Sequence, residues 1–144
     1  LSPLGIRQAE QLAGMLEDEK VDAIVSSDLA RSYDTAKIVG ERKGLEPRQT
    51  ILLREIDWGK HTGGHLSSID WKHLPEGCES LESLMVRARA FIDWLCAEYR
   101  DQVVLAVGHG AIDRAIVAYL EGKTVTEMMD MPIMKNTSVI RFQL

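Results

Sequence analysis

The chain has 144 residues, of which 45% are hydrophobic, and this size and composition fit one compact domain with a single core. The formal net charge is −5 and the basic residues are scattered, so a nucleic-acid or anionic-membrane partner has little electrostatic support. Two cysteines are too few for a disulfide framework, and no apolar run reaches the roughly 20 residues of a membrane span. We therefore expect a single cytoplasmic domain over residues 1–144.

Helix and strand patterns alternate from the first residues onward. Ser2 and Pro3 are typical of a helix start, and apolar residues then recur at helical spacing as far as Leu16. The segment 21–27, VDAIVSS, predicts a strand. A second helix follows and ends at Gly44, because glycine readily adopts the left-handed conformation that ends helices.

The middle of the chain contains a long irregular stretch. TILL, residues 50–53, predicts another short strand, and residues 54–80 break into glycines, tryptophans, histidines and a proline. Such a composition predicts a long loop, which in a compact domain is usually functional or disordered. Helical spacing returns from Leu81 to Tyr99 and predicts a helix that packs on a sheet.

The last third predicts a strand, a helix and a final strand. The apolar run Val103 to Val107 is typical of a strand covered on both faces, and a helix from Ala111 to Gly122 follows it. The alternating TSVIRFQL, residues 137–144, predicts a last strand. This alternation of strands and helices predicts an α/β fold, a three-layer sandwich with a mostly parallel central sheet.

Three candidate functional residues follow predicted strands. His109 lies between Gly108 and Gly110 directly after one strand, Arg31 lies in the first turn after another, and Glu55 follows TILL. In parallel α/β sheets, ligands bind at the carboxyl ends of the strands. An arginine and a free helix amide both favour an anion such as phosphate, and a carboxyl group can protonate a leaving group.

Each candidate also has a structural interpretation. The histidine can cap the following helix. Arg31 can form an intrahelical ion pair with Asp28 or with Asp34, and Glu55 can pair with Arg54 at the surface. These alternatives remain open on the residues alone.

The long loop contains residues that bind metals in other proteins. Five of them are His61, His65, His73, Asp57 and Asp70. Catalytic zinc takes its ligands in a defined geometry, whereas these residues are irregularly spaced among glycines. We expect no metal site.

Six segments together resemble the histidine phosphatase superfamily, the phosphoglycerate mutase-like proteins. They are LSPLGIRQAEQLA, VSSDLARSYDTA, LLREIDWG, PEGCESLESLMVRARAFI, VLAVGHGAIDRAI and NTSVIRFQL, in the order and approximate spacing of that family. The resemblance implies that Arg31 grips the phosphoryl group, that His109 and Gly110 contact it, and that Glu55 is the general acid. It also implies chemistry that needs no metal or cofactor and that proceeds through a phosphohistidine on another histidine.

That other histidine is where the sequence departs from the family. It belongs to an Arg-His-Gly motif on a first, central strand, which has no counterpart in the printed residues. His61, His65 and His73 follow Glu55 and so lie in the wrong topological place. We expect that this chain lacks an N-terminal segment that carries the nucleophile, and that the 144 residues by themselves are inactive. A degenerate relative is the alternative.

The resemblance implies a phosphomonoester hydrolase that acts on a small phosphorylated metabolite. The expected partners are that substrate or inorganic phosphate, with no nucleic acid or membrane, and a homodimer is the assembly to test. One alternative is a non-catalytic phosphate-binding or interaction protein. The other is a phosphomutase, which returns the phosphoryl group to its product.

Overall fold

The computed structural model describes residues 1–59, 74, 77–132 and 138–144. The α-helices are α1 (Pro3–Met15), α2 (Ala30–Lys43), α3 (Leu81–Glu98), α4 (Gly110–Leu120) and α5 (Val125–Met129). The strands are β1 (Ala23–Ser26), β2 (Arg48–Gln49) and β3 (Val104–Val107), and a 3-10 turn spans Ile51–Leu53. Among the described residues, no helix is long and apolar enough to cross a membrane.

The described strands form one parallel sheet in the order β2-β1-β3. Ala23 lies opposite Val104 and Ser26 lies opposite Val107, so β1 and β3 end level with each other. Their carboxyl ends therefore open onto the same edge of the sheet, which is where parallel α/β folds place their ligands.

Helices cover both faces of this sheet, which confirms the predicted three-layer α/β fold. Successive residues of a strand point to opposite faces, and Ile24 and Val25 are both buried. Ile24 packs in a cluster with residues of α1 and α2, namely Leu12, Ala13, Leu16, Ala36 and Val39. Val25 packs in a cluster with the 3-10 turn and α3, through Leu53, Phe91 and Ile92.

The helix ends follow the predicted local signals. The Ser2 hydroxyl accepts the backbone N–H of Gly5 at 3.0 Å, and Pro3 is the first residue of α1. Gly44 ends α2 with a φ of 67°, a left-handed conformation that a side chain disfavours. The signals for both ends lie within a few residues of the ends themselves, so sequence reasoning finds them.

The prediction of a strand at 50–53 is wrong. The pairing of β2 stops at Gln49, and the Thr50 hydroxyl accepts the backbone N–H of Leu52 at 3.2 Å. This threonine cap turns the chain into the 3-10 turn, which buries Leu53 in the core. The apolar run indicated burial correctly but not its geometry.

The final strand is also absent from residues 138–144. These residues have no regular secondary structure, and Ile140, Phe142 and Leu144 are exposed. Arg141 pairs with Glu19 near the end of α1. An alternating pattern becomes a strand only when another backbone pairs with it, and no described strand does so here.

β3 is less buried than its apolar sequence predicts. Within the described sheet β1 is central, whereas β3 is at an edge, with Ala106 exposed and its other residues half-buried. Residues of β3 line a cleft that extends to the ends of the strands. The site described next lies at that end of the cleft.

Candidate phosphate-binding site

Arg31, Glu55 and His109 line one cleft at the carboxyl ends of β1 and β3. Arg31 is the second residue of α2, Glu55 follows the 3-10 turn, and His109 immediately precedes α4. Gly110 lines the same cleft. The four residues that the sequence singled out therefore line the same cleft.

His109 contributes an imidazole side chain to the lining of the cleft. The residue is at the N-cap position of α4 with extended backbone angles, but its side chain makes no capping hydrogen bond. The Nε2 atom is buried and has no hydrogen-bond partner among the described residues. Burial lowers the pKa of His109 and Arg31 lowers it further, while Glu55 opposes them. The burial of His109 therefore favours the neutral form of its imidazole, in which one ring nitrogen can donate.

Glu55 is held against the first turn of α4. One carboxylate oxygen accepts the backbone N–H groups of Ala111 at 3.0 Å, Ile112 at 3.2 Å and its own neighbour Ile56 at 3.0 Å. The first amides of a helix have no partner within the helix, and a carboxylate satisfies them favourably. The amides of Ala111 and Ile112, which follow Gly110, thus contact Glu55, and the anion contact of the Gly110 amide stays a prediction.

The expected surface pair between Glu55 and Arg54 does not form. Arg54 donates instead to both carboxylate oxygens of Asp28, at 2.8 Å and 2.6 Å. Arg54 holds the pKa of Asp28 below its ordinary value. This bidentate pair joins the end of β1 to the segment that carries Glu55, and it leaves the Glu55 side chain directed at α4.

Arg31 is also free of its two expected intrahelical partners. Asp28 pairs with Arg54 instead, and Arg31 forms no ion pair with Asp34 within the described residues. The Arg31 side chain is exposed at the cleft, and its charge acts on His109. A guanidinium in this position can present two parallel N–H groups to a phosphate.

Ser32 is a buried polar residue that sequence reasoning missed. It lies in the first turn of α2, and its hydroxyl donates to the carbonyl oxygen of Val107 at 2.6 Å. This bond joins the start of α2 to the end of β3. It therefore connects the residue next to Arg31 with the strand that leads to His109. A serine directly after a candidate arginine was the available signal, but its partner is 75 residues away.

Asp113 is a second carboxyl group of the cleft that the sequence did not single out. It lies in the first turn of α4, and a Cβ atom on Gly108 would overlap its carboxylate. The absence of a side chain at Gly108 therefore leaves room for the Asp113 carboxyl group. Burial, with a contribution from Glu55, raises the pKa of Asp113 to about 7.

The candidate metal residues of the long loop lie mostly outside the described residues. His61, His65, His73 and Asp70 belong to that part of the chain. Asp57 is described, and its carboxylate accepts the backbone N–H of Gly59 at 2.8 Å. Residues 1–59, 74, 77–132 and 138–144 contain no cluster of side chains that could hold a metal ion.

Comparisons with known proteins point to one family. The family model of the histidine phosphatase superfamily (branch 1) matches residues 1–144. A glucosyl-3-phosphoglycerate phosphatase of Mycobacterium tuberculosis is 35% identical over 141 aligned positions, and the match covers 83% of this chain and 63% of that protein. A putative phosphoserine phosphatase 2 of Hydrogenobacter thermophilus is 33% identical over 136 aligned positions, and the match covers 85% of this chain and 66% of that protein. The chain thus spans just under two thirds of these relatives.

A solved structure extends the comparison to three dimensions. The mycobacterial glucosyl-3-phosphoglycerate phosphatase in complex with inorganic phosphate is 33% identical, with a TM-score of 0.83 over 94% of this chain and 76% of that chain. The family model covers every residue, and the fold has the layers and strand ends that the resemblance implies. This chain belongs to the histidine phosphatase superfamily.

Proposed function

We propose that the protein is a phosphomonoester hydrolase that acts on a small phosphorylated metabolite through a phosphohistidine intermediate. The observation that carries this proposal is that Arg31, Glu55 and His109 line one cleft at the carboxyl ends of two parallel strands. A cation, an imidazole and a carboxyl group that line one cleft can bind a phosphate dianion and assist departure of its alcohol.

Each residue has a distinct role in this proposal. Arg31 binds the phosphoryl oxygens bidentately, and His109 donates a hydrogen bond to them from its imidazole. The Gly110 amide adds a contact from the N-terminus of α4, where the helix dipole favours an anion. Glu55 protonates the leaving oxygen. Transfer of a phosphoryl group requires mainly positioning and charge stabilisation, which these groups supply without a metal or cofactor.

The nucleophile is a separate question. The resemblance implies a second histidine, and His109 is the sole histidine among the described residues. We assign His109 the partner role because it lies between Gly108 and Gly110 at the start of α4, as the resemblance implies. The expectation that the nucleophile lies outside the printed residues stays a prediction.

The relatives support the substrate class. The names of two of them specify glucosyl-3-phosphoglycerate and phosphoserine, both small phosphomonoesters, and a solved relative holds inorganic phosphate. By analogy, the partner of this site is a small phosphorylated substrate or phosphate. The cytoplasmic location agrees with two free cysteines, and both it and a homodimer stay predictions.

The test is hydrolysis of an aryl phosphate by the full-length protein in excess chelator. We expect release of inorganic phosphate, and a phosphoenzyme that is trapped by rapid quenching and is labile to acid, as a phosphohistidine is. Complete dependence on an added divalent metal would contradict the proposal.

Two further outcomes identify the alternatives. Phosphate binding without any hydrolysis indicates a non-catalytic binding protein. Transfer of the phosphoryl group back to the product, rather than to water, indicates a phosphomutase.

A further inference from the structure

Arg87 of α3 contacts the backbone of the segment that carries Glu55. Its Nη1 atom donates to two carbonyl oxygens, that of Arg54 and, at 3.0 Å, that of Leu52. Its Nη2 atom donates to the Glu55 carbonyl oxygen at 3.3 Å. Leu52 belongs to the 3-10 turn, and Arg54 and Glu55 are the two residues that follow it. One planar guanidinium therefore satisfies three backbone acceptors in succession.

A second residue orients this guanidinium. The Glu79 carboxylate accepts hydrogen bonds from Arg87 Nε at 3.2 Å and from Arg87 Nη2 at 2.8 Å. Both side chains are largely buried, with Glu79 13% exposed and Arg87 18% exposed. The Glu79 carboxylate also accepts the backbone N–H of Asp57 at 3.1 Å, while the Glu79 N–H donates to the Asp57 carbonyl at 2.6 Å. Arg87 and Glu79 together thus hold the backbone on both sides of Glu55.

The Glu55 side chain extends from this backbone to α4. Its carboxylate contacts the amides of Ala111 and Ile112, and Glu55 lines the cleft with His109. The backbone is held by α3 and the side chain reaches α4, so a shift of the peptide displaces the carboxyl group. Displacements of about 1 Å can cost about 10²-fold in rate when a catalytic group must meet its substrate.

We propose that Arg87 is a positioning residue for Glu55, and that Glu79 orients Arg87 for this role. The inference rests on the proposed function in one respect, because Glu55 acts as the acid only if the protein is a phosphatase. The position of the Glu55 carboxyl group can nevertheless be measured without any turnover.

The first measurement uses the backbone amide NMR signals of Ala111 and Ile112 in labelled full-length protein. Glu55→Gln defines how these signals move when the carboxylate is lost. Arg87→Lys keeps the charge, but an ammonium cannot hold three carbonyl groups and Glu79 together. We expect it to move both signals in the direction seen for Glu55→Gln.

The matched control is Arg89→Lys on the same helix. Arg89 is 69% exposed and lies 3.9 Å from Asp93, so this change should leave both signals in place. Glu79→Gln is the second variant, and we expect a smaller shift in the same direction. Unchanged signals in a folded Arg87→Lys or Glu79→Gln protein would overturn the inference.

The second measurement compares an aryl phosphate with an alkyl phosphate, whose leaving group is poor. We expect Arg87→Lys to lower kcat for the alkyl phosphate by about 10²-fold and for the aryl phosphate much less, because only the poor leaving group needs a proton. The double variant with Glu55→Gln should lose little more than Glu55→Gln alone. Equal losses on both substrates would show that Arg87 only stabilises the fold and would overturn its positioning role. If the amide signals move but the full-length protein hydrolyses neither substrate, the proposed function fails while the positioning of Glu55 by Arg87 is confirmed.

Discussion

The Glu55 carboxylate accepts the backbone N–H of Ala111 at 3.0 Å and so joins the proposed acid to the helix that begins after His109. Residues from two distant parts of the chain meet in this contact. The same carboxyl group thus has a structural role in α4 and a proposed chemical role at the cleft. The two roles can be separated by different substitutions.

Glu55→Ala should lower the free energy of unfolding. The change leaves the first-turn amides of α4 without their acceptor, and loss of such a contact typically costs about 1 kcal/mol. Glu55→Gln should cost less, because its amide oxygen can still accept from Ala111. Urea unfolding measures both, with Glu41→Ala on the exposed face of α2 as the control. If Glu55→Ala lowers the free energy of unfolding no more than Glu41→Ala does, the contact contributes nothing to stability.

Arg31→Ala should lower kcat/KM of the full-length protein by about 10²- to 10³-fold, since a preorganised charge is lost from the phosphoryl group. Inhibition by inorganic phosphate should weaken in parallel. Lys37→Ala is the matched control, because Lys37 is on the same helix but lies over the Tyr33 ring at 5.7 Å. Equal effects of the two substitutions would argue that Arg31 acts only through net charge.

Ser32→Ala should lower both stability and activity. The Val107 carbonyl oxygen loses the hydroxyl that lies 2.6 Å away, and a lost buried hydrogen bond costs about 1 kcal/mol or more. Because this bond joins α2 to the end of β3, we also expect weaker phosphate binding. Thr126→Ala removes an exposed hydroxyl of α5 and should change neither. Thermal unfolding and phosphate titration of both variants provide the measurement.

Asp113→Asn should change how stability depends on pH. The pKa of Asp113 is raised from 3.8 to about 7, so the folded state keeps a proton that the unfolded state releases between these values. The contribution of Asp113 to stability is therefore full below pH 3.8 and is lost as the pH rises to about 7. The stability of Asp113→Asn relative to the natural protein should thus rise from pH 4 to pH 7 and then level off.

The control for this change is Asp93→Asn, because the Asp93 side chain is 68% exposed on α3. Its stability relative to the natural protein should not vary across the same pH range. Urea unfolding at several pH values measures how the free energy of unfolding of each variant depends on pH. A flat curve for Asp113→Asn would mean that Asp113 ionises in the folded protein as it does in the unfolded chain.

The sequence by itself determined the features that depend on neighbouring residues. The Ser2 cap and the Gly44 stop are local, and the alternation of apolar runs predicted the three-layer sandwich. Arg31 and His109 could be predicted to line one cleft because each follows a strand and the two parallel strands end at one edge of the sheet, whereas Glu55 follows a 3-10 turn in place of the predicted strand.

Only the tertiary structure decided the features that need a distant partner. The apolar residues at 50–53 predict burial, but they do not predict the hydrogen bond of Thr50 that turns the chain. The alternating residues at 138–144 form no strand, because no described strand pairs with them. Ser32 bonds a residue 75 positions away, and Glu55 contacts an amide 56 positions away. Hydrogen-bond partners at such separations are set by how the layers pack, and no local pattern of residues encodes that packing.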